Sequence, residues 1–158
     1  MLLVHPSQGH MRRSLFEKPN TRRCSNVTDM VVDDARIARE SLARLLTSAG
    51  HTAVTAANGR DAWLTLYEGV PDLILLDLMM PQMDGITFLR LLRRSDHWAD
   101  VLVIVITGFS DDERLVGQAR QLGVVDVLPK MSCRTEQLLS LVEQTLGPVS
   151  DPLALPAR

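Results

Sequence analysis

The pair Asp33-Asp34, Asp77 and Thr107 stand directly behind the short apolar runs MVV, LILL and VLVIVI, and Lys130 stands behind the mostly apolar VVDVLP. Brought together, three carboxylates repel one another. At ~4 Å each like-charged pair costs about 4 kcal/mol at an effective dielectric of 20, so such a cluster persists when a cation compensates it. All-oxygen ligation suits a hard ion such as Mg2+, which keeps several waters and uses one or two carboxylates. Lys130 brings a fixed positive charge and Thr107 a hydroxyl. A divalent ion, an ammonium and a hydroxyl are the partners that the equatorial oxygens of a phosphoryl group require. The carboxylate at the end of the LILL run, Asp77, is then the natural nucleophile, giving an aspartyl phosphate.

The elements that must hold these residues follow from periodicity. MVVDD (30–34) opens a first strand. A helix follows, with Ala38, Leu42, Leu45, Leu46 and Ala49 at helical spacing and Gly50 as its stop. TAVTA (52–56) reads as a second strand, and Asn58 as the cap of a helix carrying Ala62, Trp63 and Leu66 and closed by Gly69. Residues 72–77 form the third strand, and GITFLRLLRR (85–94) a helix whose basic end suits its C-terminal dipole. Asp84-Gly85 reads as the turn and cap before it. VLVIVIT (101–107) is the fourth strand, followed by a helix that Asp111, Asp112 and Glu113 open. VVDVL (124–128) is the fifth strand, and a last helix carries Leu138, Leu139, Val142 and Leu146.

Five strand–helix units, with nearly continuous apolar runs in the third and fourth strands, predict an α/β fold. Its centre is a doubly wound parallel sheet covered by helices on both faces. Ligand sites in such sheets lie at the carboxyl ends of the strands, where all five residues fall. Taken singly, each has an ordinary explanation. Asp34 suits a helix cap, Asp77 a strand-end turn, Thr107 a strand former and Lys130 a solvated surface position. It is their agreement on one rim that argues for a site.

The rest of the chain bounds this reading. At 158 residues, 46% hydrophobic and 23% charged, it has the length of one domain, and a chain of that size buries roughly 68–70% of its unfolded surface. A net charge of −2 argues neither for nor against nucleic acid. Cys24 and Cys133 make no disulfide or metal framework. No apolar run approaches the ~20 residues of a membrane span. The four-residue apolar start, broken by His5 and Pro6, is too short for a signal peptide, so a cytoplasmic protein is expected. Residues 1–28 read as a disordered basic extension or tag, 29–147 as the folded domain and 148–158 as a flexible Pro-rich tail. The histidines at 5, 10, 51 and 97 show no arrangement for phosphotransfer or metal binding.

The segments VVDD (31–34), LLDLMMPQMDG (75–85), VIVITG (103–108) and VLPK (127–130), in this order and spacing, resemble the receiver domain of two-component response regulators. The resemblance covers residues 29–147. It implies a flavodoxin-like, CheY-like (βα)5 fold with strand order 2-1-3-4-5. It implies that Asp77 accepts a phosphoryl group from a sensor histidine kinase or a histidine phosphotransfer protein. It further implies that Asp33, Asp34, Asp77 and the backbone carbonyl of Met79 serve Mg2+, with Asp33 acting through water. Thr107 and Lys130 would contact the phosphoryl oxygens, and Gly108 would leave room for them. The surface of the fourth helix, fifth strand and fifth helix would bind a downstream protein, or a second copy on phosphorylation. No direct DNA binding, no membrane association and no enzymatic output domain are expected. Two positions depart from the family pattern: Val127, the switch position paired with Thr107, replaces an aromatic, and Met131 replaces the proline after the lysine.

Two rival readings come from other classes. A phosphorylation-independent interaction module of the same fold would show no Mg2+-dependent labelling. A Mg2+-dependent phosphohydrolase would need a general acid beside Asp77, where position 79 is Met.

Overall fold

Ten elements alternate along residues 27–147, the stretch that the computed structural model describes. They are β1 (Thr28–Val32), α1 (Arg36–Ser48), β2 (Thr52–Ala56), α2 (Gly59–Thr65), β3 (Leu73–Leu76), α3 (Gly85–Arg94), β4 (Leu102–Thr107), α4 (Glu113–Gln121), β5 (Asp126–Pro129) and α5 (Thr135–Leu146). The strands form one parallel sheet in the order β2-β1-β3-β4-β5, the doubly wound arrangement expected. The proposed N-terminal extension (1–26 of it) and C-terminal tail, with Cys24, lie outside the described residues.

Side chains of successive strand residues point to opposite faces, and both faces are apolar. Met30, Val32, Ile74, Leu76, Val103 and Val105 pack on one side with Phe88, Leu89 and Leu92 of α3. Val31, Leu73, Leu75, Ile104 and Ile106 pack on the other with Leu46 of α1 and Leu138 and Val142 of α5. All four residues of β3 are buried, because that strand lies between β1 and β4 and has helices over both faces.

Register decides the site. Val32 pairs with Leu76 and Leu76 with Val105, while Thr107 pairs with Pro129. The pairing runs one residue further: Asp77 N–H donates to Val32 O at 2.9 Å, and Lys130 N–H to Thr107 O at 2.9 Å. The ends of β1, β3, β4 and β5 therefore lie side by side.

The helix signals act as read. Asn58 Oδ1 accepts from Asp61 N–H, Asp84 Oδ1 from Thr87 N–H, and Asp112 Oδ1 from Arg114 and Leu115 N–H. Gly50 takes φ 92° just past α1, a conformation glycine reaches without penalty. Several boundaries differ from expectation: β3 runs Leu73–Leu76 rather than 72–77, β4 starts at Leu102 rather than 101, and β5 starts at Asp126 rather than 124. β1 starts at Thr28 rather than Met30. β5 ends on Pro129, tolerated on an edge strand. α2 stops at Thr65 rather than running to Gly69, because Tyr67 and Glu68 donate to Leu64 O and Thr65 O in a tightened last turn. No helix among the described residues is long and apolar enough to cross a membrane.

Candidate functional site

The carboxylates are held by their own backbone. Asp33 leaves β1 with its N–H on Ala56 O, and its Oδ1 accepts from Ala35 N–H at 2.8 Å. Arg39, one turn into α1, donates from Nη1 to the carbonyl of Asp33 at 2.6 Å and reaches that of Asp34 at 3.4 Å. This fastens the β1–α1 turn from above. Beyond Asp77 the chain folds back tightly. Gly85 N–H donates to Leu78 O at 2.9 Å, and a Cβ at Gly85 would stand 2.3 Å from Asp77 O and 2.8 Å from Leu78 Cα. Glycine is needed there because main chain meets main chain. Gly59 closes the other side of this loop, donating to Met83 O at 3.1 Å.

Lys130 Nζ bridges two of the carboxylates, 2.6 Å from Asp33 Oδ2 and 3.0 Å from Asp77 Oδ2. Asp33 and Asp77 are buried and Asp34 is exposed, and ligand oxygens of the three lie within 4.8 Å of one another. Burial pushes the Asp33 carboxyl above the usual carboxylate range and the nearby Asp77 charge adds to this, while the Lys130 and Ala35 hydrogen bonds pull it back. Desolvation disfavours the charge on Lys130, but its hydrogen bonds to Asp33 and Asp77 outweigh that and raise its pKa. Lys130 and the neighbouring Arg39 together offset two of the three carboxylate charges, which leaves the cluster net negative. Clustered oxygen donors with excess negative charge fit a hard divalent cation, and the residues present therefore suit Mg2+.

The remaining expected residues fall around this cluster. Thr107 ends β4 fully buried, its Oγ1 accepting from Phe109 N–H at 3.2 Å, and its carbonyl holds Lys130 N–H. A Cβ at Gly108 would meet nothing within 4 Å, so that position is open. Met79 is half exposed, its N–H 3.4 Å from Asp77 Oδ1. Val127 is half-buried in β5, opposite Val105 and packed against the α2–α3–α4 side of the core. Met131 is exposed, and no peptide bond among the described residues is cis. The sequence reading missed Arg39, whose role depends on where α1 aims its side chain. It also missed the close approach at Gly85. At the opposite edge of the sheet it missed a buried pair, His51 Nδ1 at 2.5 Å from Asp29 Oδ2.

Comparison with known proteins identifies relatives of this chain and of its fold. The family model of the response regulator receiver domain matches residues 30–143. The chain is 39% identical over 101 residues to response regulator MprA of Mycolicibacterium vanbaalenii, covering 64% of this chain and 42% of that protein. It is 34% identical over 121 residues to a protein-glutamate methylesterase/protein-glutamine glutaminase of Archaeoglobus fulgidus, covering 76% of this chain and 34% of that one. The chain thus spans less than half the length of these relatives. A response regulator receiver protein from Pseudomonas putida superposes with a TM-score of 0.71 at 34% identity, over 77% of this chain and 99% of that structure.

Proposed function

The chain belongs to the response regulator receiver domain family, and from that premise we propose that Asp77 accepts a phosphoryl group from a phosphohistidine. The donor is a sensor histidine kinase or a histidine phosphotransfer protein, and the phosphorylated form switches the binding of a downstream protein. The observation that carries the reading is Lys130 Nζ lying between Asp33 and Asp77 within one carboxylate cluster.

The transfer forms a bond between an Asp77 carboxylate oxygen and phosphorus while the phosphorus–nitrogen bond of the donor breaks. The electron pair returns to the imidazole, which leaves neutral when its other nitrogen is protonated. Asp77 suits the nucleophile because it stays short and fixed, its backbone N–H held by Val32. Lys130 is placed to pass from pairing with the Asp77 carboxylate to pairing with a phosphoryl oxygen, so its charge stays compensated throughout. Thr107, at the neighbouring strand end, offers its hydroxyl to a second oxygen. Asp33, Asp34, Asp77 and the Met79 carbonyl would hold Mg2+, which supplies charge compensation for the phosphoryl oxygens when bound. The face formed by α4, β5 and α5 is then the output surface, for a partner protein or a second copy.

Incubation with acetyl phosphate and Mg2+ tests this by intact mass. The wild-type chain gains one phosphoryl group and Asp77→Asn gains none. Labelling of Asp77→Asn at the wild-type level overturns the assignment.

A further inference from the structure

Between β1 and α1 two backbone carbonyls stand outside both hydrogen-bond ladders. On the β3 side the strand ladder ends at Val32, whose carbonyl takes Asp77 N–H. The ladder of α1 begins at Ala35, whose carbonyl takes Arg39 N–H at 2.9 Å. Asp33 O and Asp34 O fall between, and no main-chain N–H meets either among the described residues. They belong to two of the three carboxylate residues of the cluster. A carbonyl with no partner leaves its peptide plane free to turn, and a turned plane here redirects the carboxylates beside it. Arg39 supplies the missing donor, with Nη1 2.6 Å from Asp33 O and 3.4 Å from Asp34 O. A guanidinium is always charged, and its planar fork loses little freedom per hydrogen bond formed.

The three carboxylates differ in how they are held. Asp33 Oδ1 accepts from Ala35 N–H, and its Oδ2 meets Lys130. Asp77 meets Lys130 through Oδ2 and Met79 N–H through Oδ1. Among the described residues no hydrogen bond or ion pair holds the exposed Asp34 carboxylate. Its direction is set by the backbone on which it stands, and Arg39 fixes that backbone.

We propose that Arg39 is a positioning residue of the metal site: by pinning the carbonyls of Asp33 and Asp34 it aims the Asp34 carboxylate and favours an ion that demands strict geometry. The inference rests on the reading of Asp33, Asp34 and Asp77 as Mg2+ ligands. Mg2+ requires a near-ideal octahedron, whereas Ca2+ accepts 6–8 oxygens in flexible arrangements. Loosening the turn therefore costs Mg2+ more than Ca2+. The charge of Arg39 acts in the opposite sense. A guanidinium repels both cations, so if Arg39 acted by charge alone its removal would tighten both.

Calorimetric titration of the full-length chain with Mg2+ and with Ca2+, at fixed ionic strength and without a phosphoryl donor, tests this. Arg39→Met keeps the apolar stem and loses donor and charge. Arg39→Lys keeps the charge and a donor without the fork. Residues that orient a metal ligand are worth roughly 10–100-fold in affinity. The Kd for Mg2+ should therefore rise about tenfold or more in Arg39→Met, with a smaller rise for Ca2+, and Arg39→Lys should fall between Arg39→Met and wild type. In an Asp34→Ala background Arg39→Met should move the Mg2+ affinity far less, because coupled residues are not additive. Either variant alone decides: an unchanged ratio of Mg2+ to Ca2+ affinity overturns the proposal. So does Mg2+ binding to Arg39→Met as tight as or tighter than to wild type, or an undiminished effect in the Asp34→Ala background. A wild-type chain that binds no Mg2+ overturns the metal reading itself, so the two failures are told apart.

Discussion

Lys130 Nζ lies 3.0 Å from Asp77 Oδ2 across 53 positions of chain, and the same ammonium sits closer still to Asp33. It serves as the resident counter-charge of a cluster that otherwise repels itself. Lys130→Met removes that charge and a donor aimed at the phosphoryl oxygens. A single such donor is worth about 10²–10³ in rate, so acetyl-phosphate labelling should fall by that factor. Mg2+ affinity, measured by calorimetry, should hold or rise, because the cluster becomes more negative. A variant that labels at the wild-type rate would remove Lys130 from the site.

The carboxylate cluster predicts a metal-dependent stability. Binding to the folded form alone adds about 2.7 kcal/mol when the ion is at 100 times its Kd. Mg2+ should therefore raise the thermal midpoint of the wild-type chain in a saturable way. Asp34→Ala removes the exposed carboxylate of the three and should shift that saturation to at least tenfold higher Mg2+. Identical titrations of the two proteins would exclude Asp34 as a ligand.

The strands, the helix caps and the rim of polar residues were legible because each rests on a local pattern, whereas the strand order followed from the resemblance to receiver domains. Apolar runs mark strands, and Asn58, Asp84 and Asp112 sit where a helix needs an acceptor. The agreement of Asp33, Asp77, Thr107 and Lys130 needed only the rule that a parallel sheet lines up its strand ends. What was not legible depends on where long side chains or close backbones meet. Arg39 reaches back six residues to the Asp33 carbonyl. Asp29 and His51 meet because β1 and β2 are neighbours, a register that periodicity alone does not supply. Asp84-Gly85 read as a helix start, which it is, but the demand for glycine comes from Asp77 O.

That demand gives the next prediction. In Gly85→Ala the new methyl would stand 2.3 Å from Asp77 O and 2.8 Å from Leu78 Cα, with no flexible side chain to yield. The backbone must shift, and overpacking of this kind costs about 1–3 kcal/mol or more. The moved segment carries the nucleophile, so the surviving folded fraction should also label more slowly. Urea unfolding with labelling on the same samples separates the two effects. An unchanged midpoint and rate would mean that the loop is looser than its contacts indicate.

The buried pair at the far edge of the sheet sets a pH dependence. Burial pushes the Asp29 carboxyl up to about 6, and the charge of Asp72 adds to this, against the attraction of His51. Oδ1 of Asp29 is buried without a hydrogen-bond partner among the described residues, which makes its ionised form costly. The unfolded chain gives up this proton near 3.8. The folded chain keeps it to about 6, so the contribution of Asp29 to stability is fully present below the lower value. It is lost as pH rises through the higher one. The difference between the two values corresponds to about 3 kcal/mol at most. Asp29→Asn keeps the shape and cannot ionise. Its stability relative to wild type should therefore improve by up to that amount between pH 4 and pH 8, with most of the change between 4 and 6. Because carboxylates away from this pair titrate equally in both proteins, the difference between their urea-derived stabilities reports the Asp29–His51 pair. A difference that stays flat across the range would show that Asp29 is already ionised at low pH, held so by His51.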